Sequence, residues 1–213
     1  MNIDSNHKHT NFSSKKRGIR EADDIVRLLN KKYPRTSKTN IEDFHNVSKR
    51  PFVVDNLDFK TFQLRSAVST KRLYAKNKQD MIKALPDSVS KYRIGSCFES
   101  AELCSIAAKV NGIKDYKIGK VYSNETGSLD HAVLIVEDKK NPYILDAWLG
   151  FADYVPNAIK RFQKEFSNHF NFSGTRTEKI FIDTSHCETY QESLVKDFSQ
   201  EELRAIFPEL VTK

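Results

Sequence analysis

The stretch RIGSCFESAELC (93–104) contains the feature that most restricts how this chain can fold. Ser96 and Glu99 stand three residues apart, directly before an apolar run, which is the spacing of a helical capping box. We therefore expect a helix to begin at Ser96 and to run to Val110. Cys97 is then its first helical residue, so a thiol is placed at the positive end of a helix.

This position favours chemistry at the sulfur of Cys97. The helix dipole favours the thiolate, and the N–H groups that the first turn leaves unpaired can stabilise an oxyanion. The alternative is that Cys97 only fills the core, as a small apolar residue in a helix commonly does. We expect that simpler role for Cys104.

Two strand-like segments further along supply a histidine and an aspartate. His131 opens HAVLIV (131–136), and Asp146 lies near the end of YILDAW (143–148). If the turn between the strands has an even number of residues, both side chains project from the same face, with His131 opposite either Asp146 or Trp148. A carboxylate in reach of an imidazole holds it in one tautomer and stabilises its charged form. The sequence therefore predicts a Cys-His-Asp site.

The order of elements indicates an α+β domain, with helices first and then a mostly antiparallel sheet on which the Cys97 helix packs. We expect that helix to contact the sheet face that carries Val133, Ile135 and Ile144. The remaining predicted elements are helices at 19–33, 77–85 (ended by Pro86), 156–166 and 199–207 (capped by Ser199), and strands at 116–123 and 179–185. Residues 41–66 are ambiguous, and PFVVDNLDF (51–59) is compatible with a strand or an extended arm.

Length and composition favour one domain without a membrane span. We expect residues 1–17 to be a disordered tail and residues 18–213 a single catalytic domain, with a basic helical part (18–92) and a catalytic core (93–213). Three cysteines are too few for a disulfide framework, and the N-terminus has no signal-peptide pattern, so we expect a cytoplasmic protein.

The net charge of +7 is unevenly distributed. Residues 1–96 carry 21 Lys and Arg against 10 Asp and Glu, whereas residues 97–213 carry 14 against 18. The basic residues follow no nucleic-acid motif, so we expect no nucleic-acid partner. A basic surface can steer an acidic protein partner towards a site, or it can be the binding surface of a non-catalytic interaction module.

A metal centre is not expected. The candidate zinc ligands are Cys97, Cys104, His131, His186 and Cys187. Cys97 and Cys104 would lie two helical turns apart, about 10 Å, which is too far for one tetrahedral ion. We therefore expect neither a metal nor another cofactor.

The motifs GSCFESA, DHAV and LDAW resemble the papain-like superfamily and, within it, the transglutaminase-like branch. That branch has a G-x-C-x-x-x-A helix start, a His that opens a strand and an Asp closely followed by Trp. The resemblance covers residues 93–150 and implies that Cys97 is the nucleophile, His131 the general base and acid, and Asp146 the residue that orients His131. Ser96, Phe98, Glu99 and Trp148 would support the cleft.

The resemblance implies deamidation or transamidation of glutamine in a protein substrate, with papain-like proteolysis as the alternative. It extends to compact bacterial effectors delivered into host cells, which implies a non-classical route of secretion and an acidic host protein as substrate. Papain-like enzymes have a glutamine before the cysteine as an oxyanion donor. Here VSKYRI (89–94) contains neither Gln nor Asn, so that donor is unassigned.

Overall fold

The computed structural model describes residues 7–34, 51–123, 131–139, 141–169, 180–183 and 189–212. These residues form seven α-helices and a 3₁₀ turn: α1 (His7–Lys32), α2 (Pro51–Leu73), α3 (Lys78–Tyr92), α4 (Cys97–Val110), α5 (Val155–His169), α6 (Tyr190–Lys196), α7 (Gln200–Ile206) and Pro208–Leu210. They also form five strands: β1 (Tyr116–Ser123), β2 (His131–Val136), β3 (Tyr143–Asp146), β4 (Phe151–Tyr154) and β5 (Ile180–Asp183). None of the described helices is long and apolar enough to cross a membrane.

The five strands form one sheet in the order β4-β3-β2-β1-β5, and every neighbouring pair is antiparallel. The prediction of an α+β domain with a mostly antiparallel sheet is therefore confirmed for the described residues. The predicted strand at 143–148 ends earlier, at Asp146, because the chain turns there towards β4. Strand β4 and helix α6 were not predicted.

Both faces of the central strand β2 are covered by helices. Leu134 belongs to the apolar cluster that contains the α4 residues. Val133, Ile135 and Ile144 belong to a second cluster with Phe162 of α5. The expectation that these three residues press on the Cys97 helix is therefore wrong. All six residues of β2 are buried, so the strand has no polar face from which the sequence could tell the two layers apart.

The ambiguous segment after residue 50 is helical. Helix α2 begins at Pro51, a residue favoured at the first helical position because its missing N–H is not needed there. Its described side chains bury a narrow stripe that includes Leu64 and Val68, while most of the others are exposed. The interpretation of 51–59 as a strand or an extended arm is therefore wrong. The helix was missed because so narrow an apolar stripe gives the sequence little helical periodicity.

Helix α3 continues through Pro86, where the sequence predicted its end. Proline has no N–H to donate to the carbonyl four residues earlier, which here is that of Ile82. That carbonyl accepts a hydrogen bond from Nε2 of Gln191, in α6, at 3.5 Å. A side chain distant in sequence thus replaces the missing donor, and the predicted stop at Pro86 is wrong.

Helix α1 begins at His7, so the backbone of residues 7–17 is helical where a disordered tail was predicted, and residues 1–6 lie outside the described residues. Ile25 and Leu29 of its predicted apolar stripe are fully buried. They share one apolar cluster with α4 and with Leu134 of the sheet, so the N-terminal helices and the sheet have a common core.

Candidate active site

The thiol of Cys97 is positioned by the helix start that the sequence predicted. Ser96 is the N-cap of α4, and its side chain accepts a hydrogen bond from the Phe98 N–H at 3.2 Å. The Ser96 N–H donates to Oε2 of Glu99 at 2.8 Å, which completes the capping box. Cys97 is the first residue of the helix and is half-buried. The helix start and its capping box are confirmed.

Glu99 also binds an arginine that the sequence analysis did not identify. Arg65 of α2 donates from Nε to Oε1 of Glu99 at 2.8 Å and from Nη2 to Oγ of Ser96 at 3.4 Å. Burial by itself would raise the pKa of Glu99, but the hydrogen bonds from Arg65 and Ser96 hold it below its ordinary value. The pKa of Arg65 is raised, mainly by its hydrogen bond to Glu99 and in smaller part by the charge of Cys97. Arg65 therefore lies within electrostatic range of the thiol.

His131 and Asp146 form a buried pair. Nε2 of His131 lies 2.6 Å from Oδ2 of Asp146, and both residues are only 2% exposed. Burial alone would lower the pKa of His131. The charge and the hydrogen bond of Asp146, together with a hydrogen bond to Cys97, outweigh burial and raise this pKa to about 10. The imidazolium form of His131 is thus favoured at neutral pH.

The hydrogen bond between Cys97 and His131 connects two elements at their first residues. Cys97 begins α4 and His131 begins β2. Because Asp146 contacts Nε2 of His131, the other ring nitrogen, Nδ1, is the one that faces Cys97. Helix α4 packs on the sheet face opposite to the one that carries Val133 and His131. Because His131 is the first residue of β2, the sheet does not stand between its side chain and Cys97. The structure therefore brings Cys97, His131 and Asp146 together.

Asp146 is held by the turn that follows β3. Its Oδ1 accepts the N–H groups of Trp148 at 3.0 Å and of Leu149 at 2.9 Å, which leaves Oδ2 for His131. Extending the register of β2 with β3, in which Ile135 pairs with Ile144, puts His131 opposite Trp148. This is one of the two expected registers, and Asp146 is then the diagonal neighbour of His131.

Two aromatic rings enclose the His131 imidazole. The ring of Trp148 lies 5.0 Å from it, centroid to centroid, and the ring of Phe162 lies 5.6 Å away in an edge orientation. Trp148 therefore lies against His131. Phe162 was missed, because a Phe on an amphipathic helix gives no sign of which side chain it will contact.

A cavity of about 740 Å³ lies beside Cys97. Cys97 and Phe98 line it together with residues from five further elements, among them Arg65 and Arg72 of α2, Leu85 of α3, Lys120 of β1, Ala132 of β2 and Tyr190 of α6. Of the predicted cleft residues, Ser96 and Glu99 also line the cavity, whereas Trp148 stands beside His131. The sequence analysis missed the contributions of α2 and α6, because a cavity between distant segments has no local pattern.

Cys104 is fully buried in the core cluster, as predicted for a core-filling residue. In the part of the chain that the structure describes, no group of three His, Cys, Asp or Glu residues could hold a metal ion. His186 and Cys187 lie outside the described residues.

Comparison with family models, with curated proteins and with solved structures finds no match to this chain. A function therefore has to be inferred from the chemistry that the residues around Cys97 can perform.

Proposed function

We propose that this protein is a cysteine-nucleophile enzyme with a papain-like, transglutaminase-like core that acts on protein amides through a thioester. One observation carries the proposal: Cys97, His131 and Asp146 form a hydrogen-bonded chain that begins at the first residue of a helix. A nucleophile, a base and a group that orients the base, in contact in this order, are the common elements of covalent acyl transfer.

The first half of the reaction forms the thioester. The Cys97 thiolate attacks the carbonyl carbon of the amide, and the carbonyl oxygen becomes an oxyanion. The N–H of Cys97, at the start of α4, is a suitable donor to that oxygen. When the C–N bond breaks, the His131 imidazolium gives its proton to the leaving nitrogen, which departs as ammonia or an amine.

The second half regenerates the enzyme. Neutral His131 removes a proton from water or from an incoming amine, which attacks the thioester carbon and releases the Cys97 thiolate, so that the thiolate and imidazolium are restored. Asp146 stabilises the charged imidazole in both halves and holds its orientation. Trp148 and Phe162 limit the access of water to the ring of His131.

Glutamine deamidation or transamidation is the leading reaction. An aspartate as third residue, followed closely by Trp148, resembles the transglutaminase-like branch more than papain, whose third residue is usually asparagine. Papain-like proteolysis is the alternative and uses the same three residues. We propose an acidic cytoplasmic protein of a host cell as the substrate, in keeping with the resemblance to effectors delivered by a non-classical route and with the basic residues 1–96.

Intact-mass analysis of candidate protein substrates separates these reactions. Deamidation adds about one mass unit, transamidation in the presence of a primary amine adds the amine less ammonia, and proteolysis yields fragments. Each product should disappear with Cys97→Ala and with His131→Ala. Modification that persists in Cys97→Ala would refute the proposal, and fragments alone would replace deamidation by proteolysis.

A non-catalytic interaction module is the second candidate. It is favoured by four large apolar side chains that are strongly exposed on or just after α2: Phe59, Phe62, Leu73 and Tyr74. Phe59 and Phe62 lie three residues apart on α2 with exposed Lys60 between them, and neighbouring exposed apolar side chains are typical of a protein-binding site. If binding is the whole function, Cys97→Ser should keep the biological effect, and charge reversal of Lys31 and Lys32 should abolish it. The enzyme proposal requires the opposite result for Cys97→Ser.

A further inference from the structure

On the basis of the proposed function, we propose that the part of the cavity lined by Arg72 is a subsite for an acidic side chain of the substrate. Arg72 is the group that binds the carboxylate. The substrate that Cys97 attacks would then carry a Glu or Asp close to the reacting amide.

Arg72 is a partly desolvated cation whose hydrogen-bond and ring contacts are neutral, and the charge of Glu102 acts on it within the same cavity. It lies on α2 and lines the cavity. Its Nη2 donates to Oε1 of Gln191, and its guanidinium carbon lies 4.7 Å from the centroid of the Tyr190 ring. Among the described residues its buried Nε has no hydrogen-bond partner. A carboxylate in the cavity could accept a hydrogen bond from this Nε and would give the guanidinium a directly hydrogen-bonded anion in addition to the charge of Glu102.

Burial strengthens the attraction between Arg72 and a bound carboxylate. Burial lowers the pKa of Arg72, and the charges of Glu102 and Tyr190 only partly oppose this effect. A cation removed from water interacts more strongly with an incoming anion, because less solvent screens the pair. The position of Arg72 therefore favours recognition of a carboxylate over a neutral side chain.

The guanidinium of Arg72 is held in place before any substrate binds. Gln191, which accepts its hydrogen bond, is fully buried, and its Nε2 donates to the carbonyl of Ile82 that Pro86 leaves without a helical donor. Gln191 thus connects α2 to α3, and Tyr190 stacks on the guanidinium from the same helix, α6. A group fixed in this way loses little conformational entropy on binding.

The charges that line the cavity also favour an anion. Arg65 is paired with Glu99, and the further charged lining residues are Arg72, Lys120 and Glu102. Glu102 is buried, and burial raises its pKa to about 7 against the charge of Arg72 and the hydrogen bonds that Thr189 and the backbone of Gln191 donate to it. It is therefore partly neutral at physiological pH, and its repulsion of an anion is weakened.

Helix α4 gives a scale for the spacing, because both Cys97 and Glu102 line the cavity. Glu102, whose charge acts on Arg72, lies five residues after Cys97 on α4, which corresponds to about 7.5 Å along the axis. An extended peptide rises about 3.3 Å per residue. The acidic side chain should therefore lie about two residues from the residue that Cys97 attacks.

Three blocked peptides test the subsite. Each has one central Gln in an alanine-rich sequence, with Glu two residues before it, Glu two residues after it, or Ala at both positions. Product formation followed by mass spectrometry gives kcat/KM for each peptide. We expect one Glu peptide to exceed the Ala peptide by about tenfold with the wild-type protein. Arg72→Gln should reduce this ratio to about one.

Lys71→Gln is the matched control. It removes the same charge from the neighbouring residue, which forms an ion pair with Asp87 and does not line the cavity. Its Glu-to-Ala ratio should equal that of the wild type. Turnover without a preference for Glu, or a preference that survives Arg72→Gln, would overturn the subsite and leave the proposed function intact.

Binding to the Cys97→Ala protein, measured by calorimetry, separates the two proposals. Tighter binding of a Glu peptide that is lost in Cys97→Ala/Arg72→Gln, without turnover by the wild type, would support the subsite and count against the enzyme. If the wild type neither turns over the peptides nor discriminates between them in binding, the subsite is wrong.

Discussion

Asp146 binds His131 with one carboxylate oxygen and the backbone of its own turn with the other. Oδ2 lies 2.6 Å from Nε2 of His131, while Oδ1 accepts the N–H groups of Trp148 and Leu149. The turn therefore fixes the carboxylate, and the carboxylate fixes the imidazole. A change in charge that keeps the shape of Asp146 should separate these two roles.

Asp146→Asn should keep the fold and lose activity. The Asn Oδ1 can still accept the two backbone N–H groups, but the side chain no longer neutralises the imidazolium, so the pKa of His131 should fall. By analogy with other Asp-His pairs, kcat should fall by about 10²- to 10⁴-fold. Asp153→Asn on β4, which removes a charge paired with Arg161, is the control and should be nearly fully active. NMR titration of His131 reports the pKa directly.

The same variant also tests how the ion pair of His131 and Asp146 makes the free energy of unfolding depend on pH. The folded-state pKa of His131 is raised from 6.5 to about 10, so its stabilising contribution is complete below about pH 6.5 and is lost as the pH rises towards 10. The difference in free energy of unfolding between the wild type and Asp146→Asn should therefore shrink between pH 6.5 and pH 10. Urea denaturation at several pH values measures it. A difference that grows with pH would contradict the ion pair.

Cys97 should react with iodoacetamide faster than a free thiol, because the adjacent imidazolium of His131 attracts the negative charge of the attacking sulfur. His131→Ala should slow the labelling. Cys104 is fully buried and should react only after unfolding, which provides a control within the same protein. Peptide mapping by mass spectrometry assigns the adducts. Labelling of Cys97 at the rate of a free thiol, unchanged in His131→Ala, would exclude activation by His131.

Glu99→Gln should destabilise the protein more than a capping role alone implies. Gln can still accept the Ser96 N–H, but it loses the charge that pairs with Arg65. We expect a cost of about 1 kcal/mol for Glu99→Gln and about 2 kcal/mol for Glu99→Ala, measured by urea denaturation at pH 7. Because the pKa of Glu99 is lowered, both costs should diminish as the pH falls below about 4.5.

The second capping box, at the start of α7, is the comparison for Glu99. The Ser199 N–H donates to Oε2 of Glu202 there, and Glu202 is exposed. Glu202→Gln should therefore cost less than Glu99→Gln. Equal costs would show that the ion pair of Glu99 with Arg65 adds nothing. A hundredfold loss of kcat in a normally folded Glu99→Gln protein would assign Glu99 a direct part in catalysis.

Glu102→Gln should stabilise the protein increasingly as the pH rises. The pKa of Glu102 is raised from 4.5 to about 7 by burial, so the folded state is penalised for its charge above pH 4.5, and the penalty is complete above pH 7. Relative to the wild type, Glu102→Gln should gain on the order of 2 kcal/mol between pH 5 and pH 8. Glu201→Gln, at an exposed position of α7, is the control. A gain of equal size in both variants would contradict the prediction.

Gln191→Ala should be less harmful when Pro86 is replaced. The Gln191 amide donates to the Ile82 carbonyl, which Pro86 cannot pair, whereas Pro86→Ala restores the helical N–H. In a double-mutant cycle based on thermal unfolding, the two changes should be coupled by about 0.5–1 kcal/mol. Additive effects would mean that the 3.5 Å contact contributes no stability.

Several features could be predicted because short-range patterns determine them. The start of α4 follows from Ser96 and Glu99, two residues whose side chains satisfy each other's backbone N–H groups within one turn. The shared face of His131 and Asp146 follows from the alternation of side chains along paired strands, because any even-numbered turn gives the same result. The sequence could not choose between the two possible registers.

Other predictions failed where a distant residue decided the outcome. The predicted end of α3 at Pro86 was wrong because Gln191, more than 100 positions later, supplies the missing donor. The face of Val133 was assigned to the wrong helix because both sides of β2 are apolar and buried. In both cases the residues next to Pro86 or Val133 in sequence do not indicate which distant residue or helix will contact them.

The sequence by itself determined that a thiol begins a helix at Cys97 and that an imidazole and a carboxylate share one sheet face. These are local consequences of hydrogen bonding and strand geometry, and they hold wherever the elements pack. Tertiary structure alone decided that Arg65 binds Glu99, that Arg72 lines the cavity beside Cys97, and that Phe162 covers His131. These contacts join residues far apart in the chain, so they depend on how the helices pack around the sheet rather than on any neighbouring residue.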